Sequence, residues 1–403
     1  MTTIFIKDDL RASVEAATGG HVTVLYTAAG HPCYMNVIPK FNKQDIDAGL
    51  GTGVHEAFIV NGVEKSEIFI GQHLGIQKDG NLLSIPGVSP TASVNFDTFR
   101  GLAAANGPGW HMMTTAEMAA IALWSWKNGT MPRGNNDWGR DVGSPWETAA
   151  RADGGAIGSA TGNGKTYTGA GPASWRHNGQ PSGIADLNGN LWEWNAGMRL
   201  QAGEIQIIQN NDAADNTKDQ SATSSLWKAI DGSTGALVAP GSANAIKYAT
   251  SGTTNYTLVR ASGASLEGMT NPGTTPVGAA ALSLAKSLGL YPVASTGLGG
   301  DGFWVDVTDE RLPLAGGNYG NGALAGAFAR TLKSSPDECE RQRRRAPGLC
   351  SLTGGCDSTH PAAEAVTRLA RGISRKVDGL AGRFCARFHF QEQANAIESH
   401  LVL

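Results

Sequence analysis

The sequence predicts an α+β protein in which an N-terminal β-rich domain precedes a loop-rich second domain. Short apolar segments between glycine-rich turns occupy residues 1–90, as expected for strands. The chain of 403 residues contains 54 glycines and ten tryptophans, and nine of the tryptophans lie between Trp110 and Trp227. Glycine well above its usual share, together with clustered indoles, indicates a core packed by aromatic side chains rather than by long regular elements.

Charge and hydropathy exclude several classes of function. The net charge of −3 provides no field that would favour nucleic acid or an anionic membrane. No run of about 18 apolar residues is present, so we expect no membrane insertion. The start MTTIFIKDDLR lacks a basic segment followed by an apolar one, so we expect no signal peptide. The predicted location is cytoplasmic, or assembled into a particle.

Cysteine placement argues against thiol chemistry in the middle of the chain. No cysteine occurs between Cys33 and Cys339, which excludes a disulfide, a thiolate metal site and a cysteine nucleophile there. Cys350, Cys356 and Cys385 follow, at spacings that match no zinc pattern. The sequence therefore predicts unpaired cysteines.

The predicted elements follow hydrophobic periodicity. TIFIK, VTVLY and SEIFIGQ are expected strands of the first domain, to which we assign assembly or attachment. Helices are expected at 96–105, 115–128 and 279–288, the second with a capping box formed by Thr114 and Glu117. Further strands are expected at 202–208, 257–260 and 303–307. Residues 210–275, rich in Ser, Thr, Asn and Gly, are expected to be a long insertion with weak strands.

Three motifs stand out in the second domain: GWHMMTTAEM at 109–118, DLNGNLWEW at 186–194, and DGFWVD at 301–306 leading into RLPLAGGNYGNGALAGAFA at 311–329. In the second motif, Asn188-Gly189 predicts a tight turn. Trp192 and Trp194 then share one face of a strand, and Glu193 points to the other. The indoles are expected to fill a core.

The order of these motifs resembles the formylglycine-generating-enzyme variety of the C-type lectin fold. The resemblance covers about residues 100–336 and implies a small sheet wrapped by mostly irregular chain, here a display domain at 91–336. The oxidase chemistry of that family requires two cysteines near the end of the domain, which this chain lacks. The segment GGNYGNGALAGAFARTLKSSP resembles instead the variable region of diversity-generating retroelement target proteins.

That resemblance implies that an error-prone reverse transcriptase rewrites selected adenines in Asn (AAC) codons of this segment. The implied ligand-binding residues are Asn318, Tyr319, Gly320, Asn321, Leu324, Thr331, Lys333 and Ser334. Lys333 is included by position alone, and Tyr319 stands where the family commonly has Trp. The implied fixed framework is Gly316, Gly317, Gly322, Ala323, Ala325, Gly326 and Phe328. An ordinary glycine-rich loop is the alternative.

We therefore expect a binding protein and no enzyme, with an unknown protein or surface ligand as partner and with oligomer or phage-particle assembly as further possibilities. A formylglycine-generating-like oxidoreductase and a structural phage-particle protein without variable binding remain the alternatives. His111 and His177 lie in no catalytic signature. No cofactor is expected. Calcium at Asp186, Asn188, Asn190 and Glu193 is an open alternative, although turn chemistry explains these residues equally well.

The tail, residues 337–403, differs in composition, since four of the five cysteines and twelve of the 32 Lys and Arg fall at or beyond residue 330. A one-base shift of the codons from Asp337 permits Thr-Asn-Ala-Asn-Ala-Asn-Val-Gly-Ala-Arg, the ending that the resemblance implies. We therefore hypothesise that the tail is translated out of frame, packs poorly and leaves the last strand missing or improvised. A native basic extension, with a partner-binding helix around 362–377, is the alternative.

Overall fold

Strands outnumber helices in this α+β fold. The computed structural model describes residues 8–252, 254–260, 265–338, 384–385 and 388–390. The α-helices are α1 Asp9–Thr18, α2 Lys43–Ile46, α3 Phe96–Ala104, α4 Thr115–Lys127 and α5 Ala279–Ser287. Single 3-10 turns lie at Ala48–Leu50, Glu56–Phe58, Ala173–Trp175, Asp212–Ala214 and Gly322–Leu324.

The strands of the first half are β1 Val22–Tyr26, β2 Pro32–Pro39, β3 Ile59–Val60, β4 Val63–Glu64, β5 Glu67–Gly71, β6 Ile76–Lys78, β7 Asn81–Leu83, β8 Trp110–Met112, β9 Trp192–Trp194, β10 Met198–Gln201 and β11 Glu204–Ile207. Those of the second half are β12 Lys228–Ile230, β13 Leu237–Val238, β14 Lys247–Ala249, β15 Thr257–Arg260, β16 Met269–Thr270, β17 Phe303–Val305, β18 Glu310–Gly316, β19 Gly326–Ser334, β20 Phe384–Cys385 and β21 Phe388–Phe390.

The three predicted helices are confirmed as α3, α4 and α5, each within one residue of its expected bounds. Strands β1 and β5 confirm VTVLY and SEIFIGQ, whereas TIFIK lies outside the described residues. Helix α1 was not predicted, and it buries none of its residues fully. It is defined by its ends, an Asp8 side chain that accepts from Leu10 N at 3.1 Å and Gly19 at φ 61°.

Helix α4 lies at the centre of the molecule. Its predicted capping box is present, since Thr114 Oγ1 accepts from Glu117 N at 3.2 Å and Glu117 Oε2 accepts from Thr114 N at 2.9 Å. The helix is buried on every side as far as Leu123. A helix that is apolar all round requires neighbours on all faces, and α4 accordingly packs against α2, α5 and β19.

The larger sheet has twelve strands, of which eight follow the path β16-β15-β14-β11-β10-β18-β19-β17. Of the other four, β12 pairs with β11 and β13 with β12, whereas β9 pairs with β18 and β20 with β9. Strands β18 and β19 are antiparallel, with register shifts that bring Gly316 opposite Gly326. The connection between them carries most of the predicted ligand-binding residues. Its two ends therefore emerge from the middle of the sheet.

The smaller sheet has the order β1-β2-β5-β21-β8. Strand β21 lies antiparallel between β5 and β8, with His389 opposite both Ile70 and His111. Phe388–Phe390 joins the smaller sheet and not the sheet of β18 and β19, so the expectation of a last strand that is missing or improvised stays a prediction. The other calls on the tail, including the helix around 362–377, fall on residues outside the described ranges, and the frameshift stays a prediction.

One hydrophobic core contains residues from both sides of position 90, the expected domain boundary. The cluster around α4 contains Ile38 and Phe58 from the first segment and Phe328 and Leu332 from β19. The His55 ring also contacts the Ser287 carbonyl oxygen at 2.9 Å, across the same boundary. The core therefore shows no break near residue 90, and the assembly role expected for residues 1–90 stays a prediction.

The segment 210–275 is more integrated than the insertion that its composition suggested. Trp227, Ile246, Tyr248 and Leu258 are buried in the cores. Strands β12 to β16 extend the larger sheet from β11. Loop-like composition was a poor guide to this packing, because few, widely spaced apolar residues are enough for strands of two to four residues. Among the described residues, no helix has the length and hydropathy needed to cross a membrane.

Candidate functional site

The variable loop, defined here as residues 316–326, is fixed by backbone hydrogen bonds to the segment 134–168, which we call the loop layer, and to the turn at 188–190. Trp138 N donates to the Tyr319 carbonyl at 2.8 Å, and Tyr319 N donates to the Asn190 carbonyl at 3.2 Å. Gly322 N donates to the Asn136 carbonyl at 2.9 Å. These bonds involve main-chain atoms only on the variable-loop side, so they do not depend on which side chains the loop carries.

A buried amide and carboxylate network supports this arrangement. Asn135 Oδ1 accepts from Gly139 N at 2.7 Å, and Asn190 Oδ1 accepts from Thr166 N at 2.9 Å. Asn188 Oδ1 accepts from Asn136 Nδ2 at 3.2 Å. Such satisfied buried networks rigidify the loops that they join.

The same network accounts for three of the four residues considered for calcium. Asp186 Oδ2 accepts from Gly169 N at 3.0 Å, and its Oδ1 accepts from Asn190 Nδ2 at 3.3 Å. Hydrogen bonds to N–H donors thus occupy oxygens of Asp186, Asn188 and Asn190. Within the described ranges, no group of three or more His, Cys, Asp and Glu side chains is arranged to hold a metal ion.

The eight predicted ligand-binding residues do not share one exposed surface. Gly320 and Lys333 are exposed, and three residues are half-buried, namely Asn321, Leu324 and Thr331. The expectation of a common exposed surface is wrong for the three buried residues, Asn318, Tyr319 and Ser334. The structure therefore leaves five of the eight with side-chain positions that reach solvent.

The two asparagines of the loop explain part of this correction. Asn318 Oδ1 accepts from Gly320 N at 2.9 Å, and Asn321 Oδ1 accepts from Asn318 N at 2.7 Å. Side-chain to backbone bonds of this kind define turns. Asn318 therefore shapes the loop from within, whereas Asn321 remains half-buried at its surface.

The alternation of side chains between the two faces of β19 explains why Ser334 is buried. Thr331 lies opposite Leu314 on one side and beside Trp304 on the other, and Ser334 lies opposite Leu312. The exposed Lys333 lies between the buried Leu332 and Ser334. Because successive strand residues point to opposite faces, a segment that includes a strand cannot present adjacent positions on one surface.

The glycines of the framework differ sterically from Gly320. A Cβ added at Gly317 would lie 2.6 Å from Ala325 Cβ, and one at Gly326 would lie 2.0 Å from Asp301 Oδ1. Gly316, Gly317 and Gly322 also have φ of 88°, 85° and 57°, where side chains are strained. At Gly320 the nearest atom would be 3.6 Å away, an ordinary contact. Gly320 is thus the glycine of this set at which both backbone and space admit a side chain.

Buried charges lie beneath the framework. Asp301 Oδ2 accepts from Phe328 N at 2.8 Å, and burial raises the pKa of Asp301 to about 8. Burial also lowers the pKa of Arg330 to about 10. Arg330 Nη1 donates to the carbonyls of Ala327 and Ala329. These groups hold the start of β19 and have no exposed surface through which to meet a ligand.

The sequence interpretation missed the aromatic and apolar residues of the loop layer. Trp138 packs against Tyr319 with ring centroids 4.8 Å apart. Trp146 is 78% exposed, on a turn held by bonds from Gly143 N and Ser144 N to Asp141 Oδ1. Val142, Ile157 and Tyr167 are exposed in the same layer. The only available signal was composition, because the segment has no helical or strand period.

The candidate catalytic residues have structural partners. His111 Nε2 lies 3.0 Å from Glu117 Oε1, and His177 Nδ1 accepts from Ile184 N at 2.8 Å. Cys33 is buried, and burial raises the pKa of its thiol to about 12. A thiol held protonated is a poor nucleophile, so Cys33 does not suit the oxidoreductase alternative.

Comparison with known protein families and with curated proteins finds no match: no family model matches the chain, and no curated protein is significantly similar to it.

Proposed function

We propose that this chain is a binding protein of the retroelement-diversified kind, with a C-type-lectin-like display domain whose exchangeable residues contact a protein or surface ligand. The observation that carries the proposal is steric. Framework glycines Gly317 and Gly326 have no room for a Cβ, whereas Gly320 does. At these three glycines, the partition between fixed and exchangeable positions inferred from the resemblance has a physical counterpart in the packing.

Anchoring of the variable loop supports the same proposal. The loop is fixed through main-chain atoms to Asn136, Trp138 and Asn190. A rigid frame that tolerates side-chain exchange limits the entropy lost when a ligand binds. We assign direct ligand contact to the residues that reach solvent, which are Gly320, Asn321, Leu324, Thr331 and Lys333.

Substitution tolerance tests the partition. Each codon from 316 to 334 is randomised singly in the full chain, and folded variants are recovered by display and resistance to protease. Gly320, Leu324 and Lys333 should accept most residue types, and Gly317 and Gly326 almost none. Equal tolerance at Gly320 and Gly326 would contradict the proposal.

Binding is tested with two libraries of the full chain. The first is randomised at the five assigned positions, and the matched control at five exposed positions of the first segment, namely Val63, Glu64, Ser66, Gln77 and Lys78. Both are selected on immobilised streptavidin as the probe. Binders should arise much more often from the first library than from the control library. Equal recovery from both libraries would argue against a dedicated surface.

A further inference from the structure

Tyr319 differs from the other residues expected to be exchangeable in the variable loop, because its side chain has 0% exposure. Its ring packs against the Trp138 indole, with centroids 4.8 Å apart and planes inclined at 59°. Gly164 lies where the two rings meet. A Cβ added there would lie 2.7 Å from Tyr319 Cδ2 and 2.7 Å from Trp138 Cε3. The Tyr319 ring therefore fills a narrow slot lined by the Trp138 indole and the Gly164 main chain.

The walls of this slot are held by bonds that do not use the Tyr319 side chain. The Gly164 carbonyl accepts from Asn135 Nδ2 at 2.8 Å. Gly158 N donates to the Trp138 carbonyl at 2.8 Å, and Trp138 N bonds to the main chain of residue 319. The Arg151 guanidinium lies 5.7 Å from the Trp138 ring centroid on the layer side. Shortening residue 319 would thus remove the ring and leave its walls in place.

The slot lies close to solvent. Gly320, which follows Tyr319, is exposed, and so is Gly162, two residues before the Gly164 wall. Adenine changes in an Asn codon also permit Gly and Ser at position 319, and either would vacate a space of the size of a phenol ring. Rigid apolar cavities of this kind bind small aromatic molecules.

We propose that the space filled by the Tyr319 ring beside Trp138 and Gly164 is a binding slot for a planar aromatic group, which Tyr319 occupies from within and which a small residue at 319 opens to an aromatic side chain of the ligand. The assignment of the natural occupant rests on the proposed function, but the slot itself does not. Replacing residue 319 then decides whether the slot is closed by the Tyr319 ring or open to the ligand. This effect is additional to any contact that residue 319 itself makes.

The test uses the full chain with Tyr319→Gly and the probe 4-methylphenol, which reproduces the missing side chain. The variant should melt below the wild type, and saturating 4-methylphenol should raise its Tm by at least about 2 °C through binding to the folded state. Matched controls are Tyr319→Phe, which keeps the slot filled, and Tyr167→Gly, the same change at a tyrosine exposed in the same layer. Neither control nor the wild type should respond.

The double variant Tyr319→Gly, Trp138→Ala should lose the response, because one wall is gone. If Tyr319→Gly does not fold in buffer, refolding with 4-methylphenol should recover folded protein, and failure to do so would overturn the proposal. A folded Tyr319→Gly variant whose Tm 4-methylphenol does not raise would overturn it equally. If Gly320 and Lys333 then still accept most substitutions, the proposed function would be unaffected by that result.

Discussion

At the scale of single residues, buried polar groups fix the irregular parts of this chain to its core. Glu117 is the clearest case, since its carboxylate accepts from Thr114 N at 2.9 Å and from Asn211 Nδ2 at 2.7 Å and lies 3.0 Å from His111 Nε2. Asn211 Nδ2 also donates to the Ala57 carbonyl at 2.9 Å. One carboxylate thus joins β8, α4 and the segment after β11.

Glu117→Ala should lower the free energy of unfolding by about 3 kcal/mol, because it removes the side-chain half of the capping box of α4 and leaves buried donors without an acceptor. Chemical denaturation measures the change. Glu64→Ala is the matched control, since its carboxylate is 54% exposed and pairs with Lys40 at the surface. It should cost less than about 1 kcal/mol. Equal losses for the two variants would contradict the role assigned to the buried network.

Asp301 predicts a dependence of stability on pH. Burial raises its pKa to about 8 in the folded chain, against an ordinary value of 3.8. Between these values the folded state keeps a proton that the unfolded state releases, so the contribution of Asp301 to stability is full below pH 3.8 and is lost as pH rises towards 8. The loss is at most about 1.4 kcal/mol per pH unit.

Asp301→Asn should abolish this slope, so that wild type loses stability relative to the variant from pH 5 to pH 8. Urea denaturation at several pH values measures it. The exposed Asp309→Asn is the control and should run parallel to wild type. Parallel curves for wild type and Asp301→Asn would show that Asp301 is not protonated in the folded chain.

At the scale of elements, hydrophobic periodicity predicted the helices and strands that bury one or more apolar faces. Helices α3, α4 and α5 and strands β1, β5 and β15 follow from apolar spacing and caps. The same reasoning could not find α1, which buries none of its residues. It also missed the integration of 210–275 into the larger sheet, because pairing with β11 depends on partners distant in sequence.

The candidate site shows the same limit. The resemblance located the variable loop and its fixed glycines, and the close contacts of Gly317 and Gly326 give a reason for them. Sequence alone could not show that Tyr319 is buried, because the residues that cover it, Trp138 and Gly164, come from a loop without any period. Tertiary contacts determine exposure here, and local pattern does not.

Strand β21 makes a prediction about the tail. Phe388–Phe390 lies between β5 and β8, so a proline at its centre removes a main-chain donor inside a sheet. His389→Pro should lower the midpoint of denaturation, whereas His389→Ala, which keeps the main chain intact, should lower it much less. Indistinguishable midpoints for the two variants would show that the tail does not complete this sheet and would favour the frameshift hypothesis.

At the scale of the whole molecule, the account combines a framework fixed by packing with a surface open to exchange. The larger sheet, through β18 and β19, and the central helix α4 hold the ends of the variable loop. The loop layer then fixes its middle through Asn136 and Trp138. Side chains at positions 320 and 333 can change without altering these contacts, which is the property that a diversified binding surface requires.

Sequencing the DNA around the gene tests this account most directly. We expect a reverse-transcriptase gene and a near-copy of the segment that encodes Gly316–Pro336, differing from it only at adenines of the copy. The differences should fall on codons such as those of Tyr319, Gly320 and Leu324 and should spare Gly317, Gly326 and Phe328. The same sequence would show whether a one-base shift near codon 337 restores an Asn-rich ending. Absence of a near-copy, or differences spread over all four bases and over the framework codons, would contradict the account.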